Sequence, residues 1–164
     1  MRDSQPGPPT VPSGILDEER HPERYRILEL DHVRDYISSI DFAALRTKLC
    51  SPPGEEGGLG WTNAKAAGVE KQYRNWLYLR RKYEGEQLPP SSDIDQFWHA
   101  HILDTRAYHR DCARIFGSYH HHFPYFGARG EADRAALLRA WERLLGLYQD
   151  EFGTPIYIVR DDGR

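Results

Sequence analysis

The chain has 164 residues, 22 basic against 25 acidic side chains, a formal net charge of −3, 39% hydrophobic types and 12% aromatic residues. That is the size of one domain with material for a true core, and the nearly balanced charge gives no electrostatic reason to expect nucleic acid or an anionic membrane as partner. Two cysteines, Cys50 and Cys112, make neither a disulfide scaffold nor a thiolate zinc site; no apolar run is long enough to span a bilayer, no signal-peptide core opens the chain, and a reducing, cytoplasmic setting is expected.

Residues 1–14, MRDSQPGPPTVPSG, are rich in Pro, Gly and Ser and read as a disordered tail before a single domain over 15–164. Between Asp31 and Leu49 the spacing of Val33, Tyr36, Ile37 and Ile40 predicts one buried helical face, with Asp41 re-capping a second piece that carries Phe42, Leu45 and Leu49. The stretch 51–60 is a loop by composition. Thr62 is an N-cap for a helix running to about Glu84, with Val69, Tyr73, Trp76, Leu77 and Tyr83 inward. Gly85 and the Pro89–Pro90 pair end it.

A third helix is expected from Ser92, its cap, to Phe116, with Asp95 at the capping-box position and Gly117 as the stop. Residues 118–130, SYHHHFPYFGARG, form a loop dense in histidine and aromatics. A fourth helix is expected from Glu131 to Phe152, with Leu137, Leu138, Trp141, Leu144, Leu145, Tyr148 and Phe152 inward. The segment 155–160 then adds a short strand or lies extended. The fold class is therefore all-α, an irregular bundle of about four helices with a His/aromatic-rich loop.

Six of the eight histidines fall between His99 and His122. Neutral imidazole is a common ligand for zinc, copper and iron, and nearby carboxylates complete such sites. At about 100° per residue, His101 shares the apolar stripe of the third helix with Ile94, Phe97, Trp98, Tyr108 and Cys112. A buried imidazole needs partners for both nitrogens, which a metal and a hydrogen bond would supply, or two ordinary hydrogen bonds. His99 is rotated about 200° from His101, so the two chelate one ion only if the helix is distorted, and Asp95, at i−4, is a simple partner for it. Asp104, at i+3 from His101, stands where two side chains can share an ion or where a general base can act. The loop histidines 120–122 would meet His101 if the loop folds back, and the sequence does not say which of the three turns inward.

The run PPSSDIDQFWHAHILDTRAYHRDC, followed by FGSYHHHFPYFGARGE, resembles the glycine-rich-domain-containing protein family, without the glycine-rich tail that names it. Over roughly residues 30–153 the resemblance matches Trp98, His99, His101, Asp104, Tyr108, Asp111, His121, His122 and Pro124 to the family pattern, in which position 104 is a histidine in some members. It implies a site at these positions and no settled reaction. The residues taken together lead to an expected histidine-ligated metalloprotein acting on a small-molecule or peptide substrate. His99, His101, His121 and His122 are its candidate metal ligands, and Asp104 and Tyr108 its candidate catalytic residues, although Tyr108 also reads as core. The metal would be a transition ion, iron or copper before zinc, and the reaction oxidative tailoring. A non-catalytic, metal-stabilised module that docks a peptide or protein is the alternative. Haem lacks a CxxCH attachment motif, and no phosphate loop or serine-nucleophile signature is present.

Overall fold

Helix α4 (Asn63–Lys82) shows why the fold has a centre. Four consecutive side chains, Trp76, Leu77, Tyr78 and Leu79, are buried, as are Val69, Gln72 and Tyr73. A helix covered on more than one face must be packed on several sides. In the computed structural model, which describes residues 16–54 and 57–158, α4 is contacted by α2 (Leu30–Ser39), α3 (Ala43–Cys50), α5 (Ser92–Leu103) and α7 (Glu131–Phe152). Helix α6 (Thr105–Phe116) packs on α5 and α2, and against α1 (Asp17–Arg20) and the short 3-10 turn Pro22–Tyr25. The described residues are all helical or irregular, with no strand, and one core joins them. No helix is long and apolar enough to cross a membrane.

Side-chain caps explain where α4, α5 and α6 begin. Thr62 Oγ1 accepts from the Lys65 amide at 3.1 Å, as expected. Asp41 Oδ1 accepts from the Ala43 amide at 2.9 Å, so the break between α2 and α3 falls where Asp41 placed it. The cap of α5 is Ser91, whose hydroxyl accepts from the Ile94 amide at 3.3 Å, one residue before the expected Ser92. Asp95 is consequently free of capping and faces sideways.

The expected third helix is in fact two. The chain leaves helical geometry at Asp104 (φ −80°, ψ 70°), which starts α6 by accepting from the Ala107 amide. Aspartate competes with a continuing helix by capping a new one, and here that local preference prevails. A uniform stripe from residue 94 to 116 therefore fails at Thr105, which is exposed, while His101, Tyr108 and Cys112 stay buried. Gly117 closes α6 in the left-handed region at φ +71°, and a Cβ there would lie 2.8 Å from the Arg26 side chain.

On α7 Leu144, Leu147 and Tyr148 are buried, and Trp141 and Phe152 pack against the core as expected, while Leu138 is 56% exposed. The segment 155–158 is neither helix nor strand, and its Tyr157 carbonyl accepts from Gln72 at 2.9 Å. The expected disordered tail over 1–14 and the last part of the 155–160 segment lie outside the described residues.

Candidate functional site

His101 is 1% exposed, and each ring nitrogen has a protein partner. Nε2 lies 3.1 Å from Asp111 Oδ2 and Nδ1 2.9 Å from the Tyr73 hydroxyl. Asp111 is equally buried; its other oxygen accepts from the Tyr36 hydroxyl at 2.6 Å and from Arg110 Nε at 3.0 Å. Burial alone would raise the Asp111 carboxyl, but the hydrogen bonds from His101 and Tyr36 outweigh it and hold the group below its ordinary value. With Asp111 ionised, His101 carries its proton on Nε2, and Nδ1 accepts from Tyr73. The rings around it are Phe42, Tyr73 and Tyr108, the edges of Phe42 and Tyr108 at centroid distances of 5.0 Å. The structure thus does not bring His101 to the loop histidines. It joins α2, α4, α5 and α6 through one buried polar network instead.

Asp104 is exposed and occupied in capping, and the break that it makes removes the i+3 geometry that would have set it beside His101. The Tyr108 hydroxyl is equally committed. It accepts from Trp98 Nε1 at 2.8 Å and donates to the His120 carbonyl, pinning the loop after α6 onto α5.

That loop sorts the three histidines by alternation. His120 and His122, two residues apart, both pack on the Trp98 indole, at ring-centroid distances of 5.4 and 4.5 Å, and His121 between them turns to Tyr119 at 4.7 Å. Period-two alternation is what extended backbone produces. His120 is stacked between Trp98 and Phe116, and Arg80 Nε donates to its Nε2 at 3.4 Å. Burial, with the Arg80 charge adding to it, lowers His120 to about 3.

His122 reaches a different set. Its Nε2 is 2.9 Å from Asp95 Oδ1 and 3.0 Å from His99 Nε2, and His99 Nε2 is 3.3 Å from Asp95 Oδ2. Asp95 and His99 share a face of α5 because they are four residues apart. Among the described residues, Asp95, His99 and His122 are the group of three whose donor atoms all lie within 4.8 Å of one another. From the sequence, His99 and His122 are among the expected ligands, and Asp95 is expected at the helix terminus, paired with His99, or as a general base beside Asp104, but not as a ligand. The i, i+4 spacing was the available signal.

Neutral rings and an ionised carboxylate cannot fill every contact of this triangle with hydrogen bonds. Each neutral imidazole has one N–H, and an ionised carboxylate only accepts. If both Nε2 atoms are protonated, two N–H groups oppose each other. If one is protonated, the other ring's lone pair faces a carboxylate oxygen. A cation, were one held here, would be accepted by a nitrogen of each ring and by the carboxylate. Donors about 2.1 Å from a common ion lie about 3.0 Å apart at a right angle and about 3.4 Å apart at the tetrahedral angle, close to the 2.9 to 3.3 Å found.

The group stands at the wall of a cleft of about 490 Å³. One side is the turn 86–90, fastened to α4 by Trp76 Nε1 donating to the Leu88 carbonyl at 2.9 Å and Arg80 donating to the Glu86 carbonyl at 2.7 Å. The other side is the loop 120–126, held at its far end by Asp133, which accepts from the Gly127 amide at 2.7 Å and pairs with Arg129 at 2.8 Å. Gly127 is left-handed (φ +89°), and a Cβ would sit 2.4 Å from Leu137. Asp95 and His122 line this cleft, as do Trp98, His120, Phe123 and Phe126.

Fold and site together define an all-helical protein with two imidazoles and a carboxylate gathered beside a small cleft. The chain belongs to the UCP032817-like family, whose model matches residues 56–145, more than half of the chain and the whole cleft lining. No curated protein and no solved structure matches the chain.

Proposed function

We propose that Asp95, His99 and His122 hold a divalent transition-metal ion and that the protein is a small metal-dependent enzyme acting on a molecule bound in the adjacent cleft. The observation that carries this reading is the convergence of His99 Nε2 and His122 Nε2 on each other and on the two oxygens of Asp95, Oδ2 and Oδ1 respectively, at separations of 2.9 to 3.3 Å. Two histidines and one carboxylate on one face of an ion leave its other positions open, an arrangement suited to non-haem iron and to dioxygen as oxidant. Iron is the favoured metal, with copper next and zinc compatible. His101, whose ring nitrogens meet Tyr73 and Asp111, is not a ligand in this reading. The resemblance to glycine-rich-domain-containing proteins extends the proposal to a kinship, since it falls on the same α5 and loop positions.

Elemental analysis of protein purified without chelator tests this. One equivalent of iron or another transition ion is expected, lost in His99→Ala, His122→Ala and Asp95→Ala, and kept in a folded His101→Ala variant. Wild-type protein that takes up no metal even after reconstitution would overturn it. A second reading, a non-catalytic docking module, is favoured in that case by the exposed rings of Phe123 and Tyr125, 54% and 62% accessible.

A further inference from the structure

Arg80 is the unusual charge of the cleft. Its guanidinium is half-buried against α4, Nε is used on His120, and one terminal nitrogen is used on the Glu86 carbonyl. Neither partner is anionic. Among the described residues no carboxylate is paired with it, and burial holds the guanidinium below its ordinary value. The other guanidinium of the cleft, Arg129, is different: it is matched by Asp133 and lies over the Phe123 ring. The one carboxylate on the lining, Asp95, turns its two oxygens to His122 and His99. A cation withdrawn from water without a counter-charge costs free energy, and an arriving anion recovers it.

The rest of the lining fixes the shape of that anion. Pro89, Pro90, Pro124 and Phe126 provide apolar walls, and the volume suits a small ligand. His120, beside Arg80, and His122, of the metal group, pack on the same indole, so the seat for the charge and the proposed ion are about one ring system apart. Resting on the metal reading for its chemistry but not for its binding, we infer that the substrate is a small carboxylate with a flat apolar body: Arg80 takes the carboxylate, and the body extends over the Trp98 side of the cleft toward Asp95 and His122.

Benzoate and its neutral isostere benzamide probe this by titration calorimetry, on the full chain both as purified and after chelator treatment. Benzoate is expected to bind about tenfold or more tighter than benzamide in both preparations, the range of one charge-assisted contact. In Arg80→Gln the preference is expected to vanish while metal content is unchanged, and Arg80→Lys is expected to keep part of it. The wild-type comparison needs no variant, so a variant that does not fold leaves the test intact. Equal binding of the two probes, or a preference that survives in folded Arg80→Gln, would overturn the inference. A benzoate preference in protein that never takes up metal would sink the metal reading alone, and metal uptake without the preference would sink this one alone.

Discussion

The His120 imidazole shows how much one side chain's surroundings decide. Packed between Trp98 and Phe116 and facing Arg80, it is lowered from 6.5 to about 3. Between these two values the unfolded chain binds a proton that the folded chain declines, so stability rises with pH across that window and falls as the solution is acidified below about 6.5. Asp111 acts in the same direction but lower: its depressed carboxyl contributes stability above the ordinary carboxylate value and loses it as pH falls through the native one. The two are separable. His120→Asn is expected to lose less stability than wild type between pH 7 and pH 5 in urea unfolding, where Asp111 remains ionised in both. Parallel losses would show that burial of His120 carries no such cost. His101 differs again, because Asp111 and Tyr73 supply what a buried imidazole needs without a metal.

At the scale of the element, Asp104 governs the most. By capping α6 it ends α5 after Leu103 and lets the two helices take independent directions, so that α5 presents Asp95 to the cleft with His99 beside it, while α6 sends Asp111 and Tyr108 inward. Asp104→Ala is expected to lower stability by about 1 kcal/mol, the usual cost of an exposed N-cap, with metal content unaltered. Lost metal together with kept stability would point to Asp104 as a ligand after all. The loop after α6 is the second decisive element. Tyr108 holds it at one end and Asp133 at the other, and this fixes which of three consecutive histidines faces α5.

For the whole molecule, the proposed metal group sits on a framework that is complete without it. The core runs from Val33 to Tyr148 and does not include His99 or His122. An ion bound by three side chains from α5 and the 120–126 loop would tie the two together and stabilise the folded state by mass action. Added ferrous or zinc ion under anaerobic conditions is expected to raise the melting temperature of wild-type protein by a few degrees, in proportion to the logarithm of metal concentration. The Asp95→Ala variant is expected to show no such rise. A rise of equal size in that variant would place the ion elsewhere.

Local chemistry was legible in the sequence. Thr62, Asp41 and Gly117 marked helix ends because capping needs only a side chain and its own backbone. The all-helical class followed from repeating apolar spacing, and the crowding of histidine between 99 and 122 marked the region of the site. The sequence did not reveal which histidines meet. His101 was singled out because it lies on the apolar face, yet apolar faces lead into the core, where Tyr73 and Asp111 wait on other helices. His122 finds Asp95 and His99 only because α5 stops at Leu103 and the loop returns across Trp98. Those encounters join residues up to 27 positions apart, and separations of that kind are set by how helices pack, which no local pattern encodes.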